Sequence, residues 1–242
     1  TFDGATGKQI EEGLIPATDP RAIAAGGQAI KEEESTNMSF GIAANMGDDT
    51  TVTLDFYTIA VDDRIYRTGD IAQADGSSIS FYTNALDVEH SGFDLVVSST
   101  FDWNNTVSSD VSFAYGYNKI EVVNQRMISG VQPVSDSTVE DIENNFPNSR
   151  FVLTTNTALN DDWSLMVRAN FYGAHYDERG TIGAADSPSA EIDSIVYVDA
   201  QLNYQVNEDM TVKLGFSNIL DSYIDEIEAP YANRQSVGLQ YP

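Results

Sequence analysis

Apolar and polar residues alternate with a period of two along most of this chain, the mark of strands whose two faces meet different surroundings. In residues 107–117, Val107, Ser109, Val111, Phe113, Tyr115 and Tyr117 fall on one face, and Ser108, Asp110, Ser112, Ala114 and Gly116 on the other. Residues 163–172 repeat the pattern, with Trp163, Leu165, Val167, Ala169 and Phe171 opposing Ser164, Met166, Arg168, Asn170 and Tyr172. In 195–205, Val196, Val198, Ala200, Leu202 and Tyr204 oppose Ile195, Tyr197, Asp199, Gln201, Asn203 and Gln205. Shorter runs carry the same signal around Phe40, Leu54, Leu95, Leu153 and Leu214, and Ser236 to Tyr241 gives a weaker ninth strand. At Ile59 and Val61 the parity shifts, which predicts a bulge or the end of the apolar band near Tyr57.

The connections sharpen the picture. Four are short and rich in Asn, Asp and Gly, which tolerate the left-handed angles of tight turns: 47–50, 102–106, 160–162 and 207–209. Four are long: 62–91, 118–149, 173–194 and 221–233. Short and long alternate strictly, so all short turns belong at one end of the sheet and all long loops at the other. With strands of about ten residues, enough to cross a bilayer at a tilt, this predicts an all-β, antiparallel up-and-down transmembrane β-barrel with short periplasmic turns and long extracellular loops. A Greek-key sandwich has no reason to keep that order. Two short helices are expected within the loops. One begins at Asp19-Pro20 and stops at Gly26; the other opens with a capping box, Ser137 to Glu140. No composition break divides the chain, so residues 1–242 read as one portion of a barrel domain.

Composition changes the picture in two places. Twelve Lys and Arg stand against 38 Asp and Glu, a formal charge of −26, which argues against a nucleic-acid partner. Mean hydropathy is −0.27, the value of a soluble protein, but a barrel hides its apolar face in alternate residues. There is no cysteine, hence no disulfide or thiolate metal site. No apolar run of about 18 residues predicts a membrane-spanning helix. The start, Thr1-Phe2-Asp3-Gly4, lacks the pattern of a signal peptide, so the chain is expected to be either unexported or internal to a longer one.

Candidate catalytic chemistry is sparse. His90 and His175 stand in unrelated contexts and read as polar residues near strand ends. Gly4 to Gln9 lacks the spacing of a phosphate loop, and Asp62-Asp63 and Asp161-Asp162 read as solvated turns. No enzyme activity, catalytic residue, metal site or cofactor is expected. One set rises above this background: Arg168, Asn170, Asp199, Gln201, Asn203 and Lys213 lie on the polar faces of well-patterned strands. In a barrel these positions are candidate lumen-facing residues.

Several segments then fall into a familiar order. Pro16 to Pro20 followed by Lys31 to Gly41 is similar to a strand beginning P-E-x-S-x-N-x-x-x-G. Leu54-Asp55-Phe56-Tyr57 with Ile59 to Ile65 is similar to D-Y-Y-x-I-x-I-x-D-R-I. Phe81 to Ala85 leading to Ser91-Gly92-Phe93-Asp94-Leu95, and Asn144 to Phe151, match two further strand beginnings. Val198 to Leu202, then Gly215 to Tyr223, match a D-x-x-x-x-Y … G-x-x-N-(L/V/I)-x-D-x-Y ending. Together, spread over residues 16 to 223, they resemble the C-terminal part of the β-barrel of TonB-dependent outer-membrane receptors.

The resemblance implies a 22-stranded barrel in the outer membrane of a Gram-negative bacterium, filled by an N-terminal plug. It implies binding of a scarce nutrient, of siderophore, haem, cobalamin or glycan type, and import with energy relayed by TonB. Implied partners are outer-membrane lipid and lipopolysaccharide, the chain's own plug domain, the TonB complex through that plug, and a small-molecule or oligosaccharide ligand. Tyr66, Phe81, Tyr82, Phe146, Tyr176 and Tyr223 in the long loops are candidates to stack on such a ligand. The chain shows about nine strands, no plug, no TonB box, and a Tyr241-Pro242 ending in place of a further strand with a terminal aromatic. It is therefore expected to be a fragment, unable to transport alone. Two other readings remain open: a passive porin-like barrel, and a soluble secreted acidic β-sandwich that binds glycans.

Overall fold

A computed structural model describes residues 2–3, 8–9, 12–128, 130, 132–177 and 190–224. Its elements in chain order are β1 (Phe2–Asp3), β2 (Lys8–Gln9), β3 (Glu12–Leu14), α1 (Pro20–Ala24), β4 (Glu34–Asn45), β5 (Thr50–Arg67), β6 (Ile71–Ala72), β7 (Ser78–Ser80), β8 (Tyr82–Asp102) and β9 (Ser108–Gln125). They continue with α2 (Asp136–Asn144), β10 (Ser149–Ala158), β11 (Trp163–Tyr172), β12 (His175–Asp177), β13 (Ala190–Ile192), β14 (Ile195–Asn207) and β15 (Met210–Phe216). Eight strands form one sheet in the order β15-β14-β11-β10-β9-β8-β5-β4. The chain therefore runs up and down through neighbouring strands, as the alternation of short and long connections predicts. Among the described residues the sheet is open, with β4 and β15 at its edges. The expected ninth strand at 236–241, and much of the connections at 173–194 and 221–233, lie outside the described residues.

The short turns form for the reason their composition suggests. The Asn104 side-chain oxygen accepts from the amides of Thr106 and Val107 at 2.9 and 3.0 Å. Asn160 does the same for Asp162 and Trp163, and Asn207 for Asp209. These side chains replace turn hydrogen bonds that the backbone alone cannot make.

Two expectations need correction. The long connections are shorter than patterning suggests, because three strands run on well past the ten residues expected: β5 and β9 have 18 residues and β8 has 21. Strand pairing continues after the apolar alternation stops, since backbone hydrogen bonds need no particular side chain. An end of the apolar band near Tyr57 is thus compatible with β5 running on to Arg67. The left-handed residue on this strand is Asp63, with φ of 57°. The second helix also starts earlier than its supposed capping box. The helix begins at Asp136, and the Ser135 hydroxyl before it accepts from the Thr138 amide at 3.2 Å.

The chain divides into two compact units, residues 1–37, 58–90 and 120–143, and residues 38–57, 91–119 and 144–242. The first has true cores. Ala17, Ala22, Phe81 and Ile128 form one. Ala85, Leu86, Val88 and Val134 form the other, with Val139 and Ile142 of α2 packed on it. Helix α1 fits into the first core by way of Ala22; Asp19 caps it by accepting from the Arg21 amide at 2.9 Å. In the same unit β7 joins β3 in parallel and β6 in antiparallel pairing.

The second unit is built differently. Its described residues form a single layer plus the β12–β13 hairpin, not two packed sheets. The apolar row of that layer is joined by ring contacts: Phe151 stacks on Phe171 at 4.9 Å and meets Phe113 at 5.8 Å, and Trp163 stacks on Tyr204 at 4.4 Å. Such pairs contribute about 0.5–1.5 kcal/mol each beyond burial. Yet Phe40 is 64% and Leu214 55% exposed. A sandwich would cover this row with a second sheet about 10 Å away, so the sandwich reading is not met.

Candidate functional site

The six polar positions singled out from the sequence lie on one face of the second unit's sheet. Arg168 stands directly opposite Asp199, and Asn170 opposite Tyr197. Asn203 stands opposite both Ser164 and Lys213, and Gln201 opposite Met166 and Gly215. Directly opposed residues share a face, so register brings all six together. Some are linked further: Gln201 Nε2 donates to Asn203 Oδ1 at 2.7 Å, and Asn203 Nδ2 to Ser164 Oγ at 3.0 Å. Arg168 Nε donates to Thr154 Oγ1 at 3.3 Å rather than to Asp199.

Asp199 instead holds the turn after β15. It accepts from the Asn218 amide at 2.9 Å and from the Ser217 hydroxyl at 3.2 Å. Asn218 and Asp221 are left-handed, with φ of 48° and 54°, and the Asn218 side-chain amide donates to the Ser222 carbonyl and accepts from the Ser222 amide. On the same face lies a group that sequence reasoning missed. The Arg150 guanidinium sits 4.8 Å from the centre of the Tyr172 ring and donates to its hydroxyl at 3.1 Å, and Tyr172 meets Tyr197 edge-on. The register that sets Arg150 opposite Tyr172 shows only in the folded sheet, so the sequence offered no signal for this pair.

The first unit carries a second constellation, organised around the bend at Asp63. The Asp63 amide donates to Asp87 at 2.9 Å, and Asn84 Nδ2 donates to the Asp63 carbonyl at 2.6 Å. Asn84, 6% exposed, also exchanges hydrogen bonds with both backbone groups of Lys31. The Asp63 carboxylate pairs with Arg126, and the Ile65 amide donates to Glu33 at 2.7 Å. Four separate stretches, around residues 31–33, 63–65, 84–87 and 124–126, thus meet at one point. The Asn124 side-chain hydrogen bond first, then the Asp63 amide and the charge of Arg126, hold the Asp87 carboxyl below its ordinary range against a raising effect of burial.

Beside this network the 64–70 stretch, Tyr82 and residues 134–138 enclose a cleft of about 610 Å³. Its walls are fixed: Thr68 is 3% exposed, its amide donates to the Phe81 carbonyl at 2.9 Å, and the Gly69 amide to Pro133 at 2.9 Å. Arg64, Tyr66, Arg67 and Tyr82 all line it. The candidate stacking residues divide accordingly. Tyr66 and Tyr82 face the cleft, Phe146 and Tyr223 are exposed, Tyr176 is buried, and Phe81 is fully buried in the first core and unavailable to a ligand. His90 titrates below its ordinary range because burial, and next the charge of Arg64, disfavour its protonated form. Among the described residues no three His, Asp or Glu side chains are grouped to hold a metal.

The family model described as "TonB dependent receptor-like, beta-barrel" matches residues 3–219. The chain belongs to this family. The TonB-dependent receptors are outer-membrane transporters and receptors, and the open meander is a piece of their barrel. No curated protein sequence matches the chain. Among solved structures it is similar to the ferric-catecholate import receptor Fiu of Escherichia coli K12, at 18% identity over 80% of this chain and 24% of that one, with a TM-score of 0.56. It is also similar to the pyoverdine outer-membrane receptor FpvA of Pseudomonas aeruginosa, at 12% identity, 83% and 27% coverage and a TM-score of 0.59. The outer-membrane transporter YddB of Escherichia coli gives 12% identity, 90% and 31% coverage and a TM-score of 0.56. The chain thus spans about a quarter to a third of these receptors. At such identities the likeness establishes the fold.

Proposed function

We propose that residues 1–242 are the C-terminal portion of the barrel of a receptor in the outer membrane of a Gram-negative bacterium. The receptor captures a scarce nutrient of siderophore, haem, cobalamin or glycan type and imports it with energy relayed by TonB. The observation that carries this reading is the open meander with its bare apolar row, including Phe40 and Leu214. Such a layer gains stability only when further strands pair with its edges and lipid covers its apolar side. Arg168, Asn170, Asp199, Gln201, Asn203 and Lys213 then face the lumen, where they meet the receptor's own plug domain and the passing ligand. Lipid and lipopolysaccharide are the outer partners, and TonB acts through the plug. The role is binding and transport rather than catalysis.

The test is uptake in the native host. Cells carrying the full-length receptor should accumulate its nutrient only while TonB is functional, and the gene should encode a plug of roughly 130–160 residues, an ordinary domain size, ahead of the barrel. Uptake that persists without TonB would instead support a passive pore.

A further inference from the structure

The charge balance makes one side chain conspicuous. In a chain with 38 carboxylates and 12 Lys and Arg, arginines should rarely lack an acidic or hydrogen-bonding partner. Arg21, Arg67, Arg126, Arg150 and Arg168 each have one. Among the described residues Arg64 makes no hydrogen bond or ion pair, although it is half-buried. Its place on the chain is nevertheless fixed, because the amides on either side of it, Asp63 and Ile65, are both bonded to carboxylates. A partnerless guanidinium rooted in a fixed stretch of backbone is open to an anion, and its planar fork fits a carboxylate best.

The surroundings of Arg64 narrow the ligand. Arg67 also lines the cleft, but Asp70 lies 3.5 Å from its guanidinium and offsets its charge. That leaves one uncompensated positive charge in the cleft. Tyr66, Tyr82 and Val134 supply ring faces and apolar surface, and Ser135 and Thr138 hydroxyls. At about 610 Å³ the cleft is within the usual range for small-molecule sites. The whole chain repels highly charged anions through its −26 net charge.

We infer that this cleft binds a small amphipathic molecule bearing a single carboxylate, held by Arg64 with its apolar part against Tyr66 and Tyr82. The inference rests on the receptor reading and names the ligand class of its cleft. The chain's net charge disfavours polyanions, and neutral analogues lack the group that Arg64 recognises.

The experiment is equilibrium binding to the full-length receptor in detergent, with 4-hydroxybenzoate as probe, 4-hydroxybenzyl alcohol as its neutral isostere and citrate as a polyanion. The carboxylate should bind at least about ten-fold more tightly than the alcohol, as a charge-assisted hydrogen bond requires, and citrate should be the weakest. Arg64→Gln should erase the preference of the acid over the alcohol, and Arg64→Lys, which keeps the charge but not the fork, should retain part of it. Equal binding of acid and alcohol by the unaltered protein overturns the inference whatever the variants do. So does a folded Arg64→Gln variant that still prefers the acid. Binding is measured without TonB, so either failure leaves transport untouched. TonB-independent uptake with the preference intact would fail the transport reading alone.

Discussion

Asp63 serves three connections at once. Its left-handed backbone turns β5, its amide and carbonyl are bonded to Asp87 and Asn84, and its carboxylate pairs with Arg126. Aspartate tolerates the left-handed region better than the branched residues common in strands, so an acid here satisfies both backbone and charge. Arg64, the next residue, acts on His90. With its folded-state pKa depressed below the ordinary 6.5, mainly by burial and secondarily by Arg64, His90 binds a proton less readily in the native chain than in the unfolded one. Its contribution to stability is therefore present above that ordinary value and lost as pH falls below it. Removing Arg64 with Arg64→Gln takes away the smaller cause. The His90 midpoint should rise yet stay under its ordinary value, because burial remains. NMR titration of the imidazole in the full-length protein measures this, and a midpoint that falls or stands still would contradict the assignment. The six polar strand positions were legible in the sequence because period two decides a face residue by residue. Arg64 was not, since only the tertiary fold shows which arginines find partners.

Between β14 and the turn after β15, the Asp199 carboxylate adds to the bond from the Ile219 amide to the Val198 carbonyl at 2.7 Å. Asp199→Ala would leave the Asn218 amide and Ser217 hydroxyl without their acceptor, at a local cost of about 1–2 kcal/mol. Amide exchange at Asn218 and Ile219 should speed up about ten-fold or more, whereas Asp199→Asn, which keeps an oxygen in place, should change it little. Exchange that is equally fast in both variants would show that charge rather than hydrogen bonding holds the turn. This turn contains Asn218-Ile219-Leu220-Asp221, part of the ending that resembled the family, so here a recognisable motif has a physical meaning: left-handed Asn and Asp held by an acid on the neighbouring strand. Strand identities were equally legible. The strands' true lengths were not, because pairing in β5, β8 and β9 outlasts the apolar alternation that announces it. Nor were the first unit's cores, which gather Ala17, Ala22, Phe81 and Ile128 from three distant stretches.

For the molecule as a whole, the single-layer sheet makes its two faces respond oppositely to charge. Val167 belongs to the apolar row and Arg168 to the polar one, one residue apart on β11. In the full-length receptor folded into lipid vesicles, Val167→Arg should cost about 2–4 kcal/mol if it lies near the bilayer midplane. Arg168→Glu should cost no more than about 1 kcal/mol, from repulsion with Asp199 opposite it. Urea titration with heat-modifiable gel mobility reads both, and equal costs would overturn the assignment of the polar face to the lumen. The same sheet order has a kinetic consequence. Strands that neighbour in space also follow one another along the sheet, and tight turns join β4 to β5, β8 to β9, β10 to β11 and β14 to β15. Closing a long connection adds only about 0.6 kcal/mol for each doubling of its length, whereas tight hairpins close fastest. Connectivity therefore favours growth of the sheet by whole hairpins, two strands at a time, over pairing across the long connections.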